Sequence, residues 1–131
     1  MRFKRTLAGL AAGGALVAGA VIASAPADAA GKNGSCESGE FCLYYVQNEG
    51  GYVFDLLVSD TDFSNDVFPG TSISANDNTE SYRNRDTYYW HVFTNANYGG
   101  SHGCLPAGYV GNASSTFSNT ISSAYYSSSG C

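Results

Sequence analysis

Four cysteines and two histidines are the side chains of this 131-residue sequence with the clearest potential for chemistry. An even number of cysteines in a small chain is typical of disulfide bonds, and four allow three pairings. We favour Cys36–Cys42, which closes a short loop, and Cys104–Cys131, which pins the C-terminal residue. The C-x5-C spacing and the distant remaining cysteines disfavour the alternative, a zinc site.

Neither histidine lies in a pattern typical of catalysis. His91 stands between Trp90 and Val92, which predicts a strand residue whose side chain faces away from the core. His102 follows a Tyr-Gly-Gly sequence and is expected in a solvated loop. With every cysteine in a disulfide and no evident Ser-His-Asp arrangement, the sequence predicts that the protein is not an enzyme.

The first 29 residues have the three parts of a secretory signal peptide. Basic residues come first, an uncharged apolar run covers Leu7–Ile22, and small residues lead to a cleavage site between Ala29 and Ala30. The apolar run is shorter than the roughly 20 residues that a membrane-spanning helix needs. We therefore expect a secreted, extracellular protein, a monomer without membrane association once the signal is removed, with residues 30–131 as one domain.

Composition and charge narrow the class of protein further. Residues 30–131 contain three basic residues against ten acidic ones, a net charge of −7. Such a chain repels phosphate backbones and has no polybasic patch, so nucleic acid and anionic membranes are not expected partners. Abundant Tyr, Phe, Val and Thr favour strands, and clusters of Gly, Asn, Asp and Ser favour turns. The composition predicts an all-β fold.

An internal repeat divides the domain in two. Phe41–Tyr44 matches Trp90–Phe93, with Gly51 and Gly100 following at the same distance, and every pair is 49 positions apart. Later segments match at an offset of 42, so the second copy has a shorter middle. Each copy is too short for a core of its own, which predicts a sandwich of two Greek keys, about residues 36–86 and 87–131. Four side chains are expected to face the shared core: Phe41, Leu43, Trp90 and Val92.

The second copy carries a motif with a known counterpart. Phe93–Gly100 fits the βγ-crystallin Greek-key signature, which is an aromatic, four residues, Tyr or Phe, one residue, then Gly. Copy one keeps Tyr44 and Gly51 but has Glu49 in place of the second aromatic. With its signal peptide, its Cys36–Tyr44 segment and a closing Asn-x-x-Ser-Ser sequence, the chain resembles the secreted bacterial metalloprotease inhibitors of peptidase inhibitor family I thirty-six.

The resemblance implies a βγ-crystallin-like sandwich, stapled by disulfides, that inhibits an extracellular protease of the thermolysin-like metalloprotease class. A rigid, anchored loop suits that task because it reduces the ordering cost of binding. Cys104, Leu105 and Pro106 are the candidate inhibitory loop. Cys104 would be fixed by its disulfide, Leu105 is the bulky apolar residue such proteases accept after the cleaved bond, and Pro106 would resist turnover. The alternative is that Leu105 is a core residue.

A calcium signature of the βγ-crystallins is present in degenerate form. The signature is Asp/Asn twice, two free residues, Ser/Thr, then Ser, and the copies depart from it at Glu80 and Ser118. The candidate ligands are Asp77, Glu80, Asn119 and Ser122. No cofactor is required, and weak or absent calcium binding is expected because Asn, Asp and Ser also satisfy turns.

A calcium-binding structural or stress module is the main alternative function, and a toxin-like antimicrobial protein is a third.

Overall fold

Strands carry almost all of the regular structure. A computed structural model describes residues 30–131, and the predicted signal peptide, residues 1–29, lies outside them. The strands are β1 (Phe41–Val46), β2 (Gly50–Leu56), β3 (Ser81–Asn84), β4 (Tyr89–Asn95), β5 (Gly99–Leu105), β6 (Val110–Asn112) and β7 (Ser123–Ser127). A short 3-10 helix, Phe63–Asn65, lies in the longer middle of copy one. The all-β prediction is confirmed. Within residues 30–131, no helix has the length and apolarity to cross a membrane.

Each of the two antiparallel sheets contains backbone from both copies of the repeat. Sheet one has the order β2-β1-β3-β6, and sheet two has the order β5-β4-β7. Strand β6 belongs to copy two but pairs with β3 of copy one. In return, the backbone of Asp60 from copy one pairs with Ala124 on β7, with N···O distances of 2.8 and 3.0 Å. Each sheet is therefore completed by the other copy, as expected of paired Greek keys.

The core lies between the sheets and is centred on one aromatic pair. Phe41 and Trp90, which the repeat places at equivalent positions, stack with ring centroids 4.9 Å apart and neither is exposed. Leu43 and Val92 are buried beside them. All four predicted core residues are confirmed.

Both strand hairpins adopt the same backbone conformation. Left-handed φ angles of 58° to 78° occur at the same positions of both turns: Asn48, Glu49 and Gly51 in the first, Asn97, Tyr98 and Gly100 in the second. Such angles are uncommon for residues with a Cβ atom. The turn that departs from the signature at Glu49 thus keeps the full geometry of the turn that matches it.

A serine from each copy fixes these hairpins. Ser81 Oγ accepts a hydrogen bond from the Glu49 amide at 3.0 Å and donates to Val46 O at 2.7 Å. Ser123 Oγ does the same for the Tyr98 amide at 3.0 Å and Asn95 O at 2.7 Å. Both serines occupy the last position of the calcium-like pattern. This position therefore has a structural role in each copy.

The disulfides are Cys36–Cys42 and Cys104–Cys131, as favoured from the sequence. The first holds the segment before β1 against sheet one, where backbone amides of Asn33 and Gly34 donate to the Asp55 carboxylate at 2.9 and 2.7 Å. The cross-link and these bonds tie the N-terminal segment to β2.

Glu40, at the end of this segment, is fully buried. One carboxyl oxygen accepts a hydrogen bond from the Glu37 amide at 2.7 Å, and the other has no partner. Burial, aided by the charges of Asp55 and Glu37, raises the pKa of Glu40 to about 7. The neutral acid is therefore the form that the fold favours.

This pKa gives stability a defined pH dependence. An unfolded Glu40 ionises near its ordinary value of 4.5, so the free energy of unfolding falls as pH rises from there through about 7. Glu40→Gln keeps a neutral side chain, and we expect it to stabilise the protein relative to the native chain by about 1–3 kcal/mol more at pH 8 than at pH 5. Urea unfolding at both pH values measures this. Glu49→Gln, which removes a charge from the distant first hairpin, is the control and should keep the native slope. Equal slopes for the native chain and Glu40→Gln would contradict the assignment.

Candidate functional site

The candidate inhibitory residues lie where β5 leaves sheet two. Cys104 is on β5, opposite His91, and its disulfide holds the Cα atoms of Cys104 and Cys131 5.7 Å apart. Leu105 ends β5 opposite Trp90, and its side chain is 7% exposed within the core. Pro106 begins an exposed turn.

The expectation that the Leu105 side chain is displayed therefore needs correction. Leu105 lies 49 positions after Leu56, which is also buried at the end of its strand. The repeat assigns both residues to the core, and burying a leucine contributes roughly 1.5–3 kcal/mol. In this conformation, Leu105 anchors the segment, and residues 106–108 are the part open to a partner.

Asn84, the last residue of β3, holds the turn after Leu105 in place. Its buried side-chain amide donates to the carbonyl oxygens of Tyr88, Leu105 and Pro106 at 2.9, 3.0 and 3.1 Å. The turn also closes on itself, because the Tyr109 amide donates to Pro106 O at 3.0 Å. The two N–H groups of the amide are shared among three carbonyl oxygens from two segments, so the turn is tied to the neighbouring chain as well as to itself.

Gly108 gives the turn its shape. It has a φ of +83°, a value that glycine adopts without a steric cost. Its amide donates to Asn84 O at 2.9 Å, and the Asn84 amide donates to Tyr109 O at 2.8 Å. Backbone and side chain of Asn84 together hold the whole turn.

Sequence reasoning missed Asn84. It lies two residues after Tyr82 on β3, so both share the strand face that packs on the core. A polar residue on a core face was the available signal, but two of its three partners, Leu105 and Pro106, lie more than 20 positions later.

The two histidines also come together. His102 is on β5 rather than in a loop, and its Nε2 lies 2.6 Å from Nδ1 of His91 on β4. His91 faces away from the core, as alternation predicts, yet it is nearly buried. The loop assignment of His102 was wrong because the Tyr-Gly-Gly turn ends earlier and β5 begins within it.

The four candidate calcium ligands meet as two pairs across the copies. Ser122 Oγ donates to Asp77 Oδ1 at 2.9 Å, and Asn119 Nδ2 donates to Glu80 Oε2 at 3.3 Å. In each pair, the residue at the second position of one six-residue calcium-like pattern bonds to the residue at the fifth position of the other pattern.

These pairs fit calcium only as a weak site. Each supplies one carboxylate, whereas Ca²⁺ takes six to eight oxygen ligands. Asn76 Oδ1, beside Asp77, is a buried oxygen without a partner and could serve a cation. Across residues 30–131, His, Cys, Asp and Glu side chains form no group of three or more with metal-binding geometry.

Comparison with solved structures defines the fold class. A βγ-crystallin domain from work on the evolution of the eye-lens fold aligns with a TM-score of 0.60 at 19% identity, covering 71% of this chain and 90% of that chain. A βγ-crystallin domain from Flavobacterium johnsoniae gives 0.56 at 19%, covering 70% and 97%. Spherulin 3a from Physarum polycephalum gives 0.54 at 21%, covering 72% and 88%. The fold is that of the βγ-crystallins.

The sequence itself identifies the family. Residues 29–105 match the model of Peptidase inhibitor family I36. The chain belongs to this family of peptidase inhibitors, which implies a protease as its partner, and it is not an enzyme. Among curated proteins, none matches the sequence significantly.

The role of Asn84 can be tested by isosteric replacement. Asn84→Asp keeps the side-chain shape but exchanges the amide donor for an oxygen that faces three carbonyl groups, and Asn84→Ala removes the group. We expect both variants to lose about 2–4 kcal/mol of stability, because buried carbonyl groups lose their partner. Denaturant unfolding measures the loss, and faster hydrogen exchange of the Gly108 and Tyr109 amides reports the loosened turn. Variants within about 0.5 kcal/mol of the native chain would contradict this role.

Proposed function

We propose that the protein is a secreted inhibitor of a thermolysin-like metalloprotease and that the segment Cys104–Gly108 binds the protease. Residues 1–29 would be removed on export, leaving residues 30–131 as the single inhibitor domain. Membership of a peptidase inhibitor family supports a protease as the partner, and the two disulfides are consistent with an oxidising, extracellular destination.

The observation that carries the proposal is the anchoring of the turn. Three independent constraints hold it: the Cys104–Cys131 disulfide, the Leu105 side chain in the core, and the three hydrogen bonds from Asn84. A segment that is already ordered loses little conformational entropy when it enters a protease cleft. The tip, Pro106 to Gly108, is exposed on the surface.

Each residue has a distinct task in this proposal. Cys104 and Leu105 hold the backbone from two sides, so the exposed tip from Pro106 to Gly108 is presented at a fixed angle. Pro106 has no amide hydrogen, which removes a donor that a protease uses to align an extended substrate. The metalloprotease class rests on the family resemblance, and an inhibition assay has to decide it.

An inhibition assay with paired variants tests the proposal. The purified protein should inhibit a thermolysin-like enzyme and leave a serine protease active. Ala107→Glu, at the exposed tip, should weaken inhibition by about tenfold or more, because a charge would be buried at the contact, while the melting temperature stays the same.

Val58→Glu is the matched control, because Val58 lies 49 positions before Ala107 and is exposed in the equivalent place of copy one. It should inhibit like the native chain. Inhibition that survives Ala107→Glu but is lost in Val58→Glu would move the contact to copy one. No inhibition of either protease class at large excess would end the proposal.

A calcium-binding module is the second candidate function, and the Asp77–Ser122 and Glu80–Asn119 pairs favour it. Calorimetric titration with calcium should then show saturable binding in the range of about 10⁻⁴–10⁻³ M, typical of extracellular modules. The melting temperature should rise with calcium. Asp77→Asn, which keeps the hydrogen-bond acceptor but removes the charge, should weaken binding. Absence of both signals in the native chain would remove this candidate.

A further inference from the structure

The only two histidines of the sequence form a closely spaced pair on the outer side of sheet two. The strand register pairs His91 with Cys104 and Phe93 with His102, so the histidines are diagonal neighbours on one face. Nδ1 of His91 and Nε2 of His102 face each other at 2.6 Å. Their ring centroids are 4.9 Å apart, so the two nitrogens lie close to the line that joins the rings.

Each imidazole stacks on an aromatic ring. His91 stacks on Tyr125 with centroids 4.7 Å apart and an interplanar angle of 21°. His102 stacks on Phe93 at 4.8 Å and 6°. His91 is 6% exposed, whereas His102 is exposed on an edge strand. The pair thus has one fixed member and one accessible member.

His91 is enclosed by aromatic rings and a disulfide sulfur. Burial and the adjacent His102 lower the pKa of His91, so this ring is neutral at neutral pH. The other groups around it are the ring of Tyr125 and the disulfide sulfur of Cys104, which lies 4.0 Å from His91 Nε2. Neutral imidazole is the form that binds transition metals, and a disulfide sulfur is not a competing thiolate.

We propose that His91 Nδ1 and His102 Nε2 form an open two-nitrogen site for a divalent first-row ion, Cu²⁺ or Zn²⁺, with water in the remaining positions. Imidazole suits both ions, and copper binds more tightly at a given nitrogen site. This inference is independent of the proposed function and of the calcium pairs, which offer oxygen ligands alone.

Metal binding requires His102 to reorient, because the two nitrogens face each other head-on and a shared ion needs their lone pairs to converge on one point. In the neutral pair, one facing nitrogen carries the shared hydrogen, which must leave to free both lone pairs. The ring that loses it takes a proton on its other nitrogen, so both imidazoles stay neutral and the proton count is unchanged. With bonds of about 2.0–2.1 Å, the two nitrogens must stand roughly 2.9–3.4 Å apart. The exposed His102 side chain can supply this movement.

Copper titration of the native chain and His102→Gln tests the site. We expect one equivalent of Cu²⁺ to bind the native chain, with nitrogen hyperfine coupling from two imidazoles in the electron paramagnetic resonance spectrum. His102→Gln changes an exposed residue and should fold normally, lose the two-imidazole signal and bind copper about tenfold more weakly or worse. Zinc should compete with copper, and excess calcium should not.

His91→Gln removes the other proposed ligand and should also lose the two-imidazole hyperfine signal. Binding should also weaken as pH falls, because protons compete for the imidazole nitrogens. Native protein that shows no imidazole coupling, or that binds copper no better than His102→Gln, would overturn the proposal.

Discussion

The stack of Phe41 on Trp90 is the contact on which the two halves of this protein depend. The residues are equivalent in the internal repeat, they come from the central region of different sheets, and their rings meet at the middle of the core. Each ring also contacts a tyrosine of its own copy, Tyr82 or Tyr126, but the stack across the copies brings the two sheets together in one core. The stack sets the spacing between the sheets, and the strand exchange then closes their edges.

Polar side chains also connect the two copies. Ser81 and Ser123 fix the hairpins within the sandwich, and the acidic and amide residues that precede them pair across the copies. A pattern that looks like a metal signature in sequence thus has a complete hydrogen-bonding role at its last position. This explains how Glu49 can replace an aromatic residue without a change of backbone: the serine bond and the left-handed residues define the turn.

Much of the fold follows from the sequence, because repeat, alternation and cysteine spacing are local patterns. The buried faces of β1 and β4, the two Greek keys and both disulfides were predicted from them. The burial of Leu105 was one of the two alternatives open from the sequence, and the repeat supports it by aligning Leu105 with Leu56. The copies differ most in their middles, where Phe54 is matched by Gly103 and the ring of Phe117 fills the space instead.

The remaining features depend on strand register, which one sequence does not specify. The meeting of His91 with His102 requires the pairing of β4 with β5 at one register, and a shift by one residue would place them on opposite faces. The support of the 106–108 turn by Asn84 requires β3 to lie under a turn that joins the two sheets. Such long-range relations arise from packing, so they could not be read from local sequence.

The exchange of backbone between the copies has a consequence for the time scale of folding. Asp60 pairs with Ala124, and Ser81 pairs with Asn112, so both sheets need contacts between residues far apart in the chain. Topologies of this kind fold slowly, because distant segments must be brought together before their contacts contribute. Opening one sheet also removes a strand or bridge from the other, which links the loss of one half to the loss of both. A chain that works beside proteases benefits from this coupling, because rare opening limits the exposure of cleavable backbone.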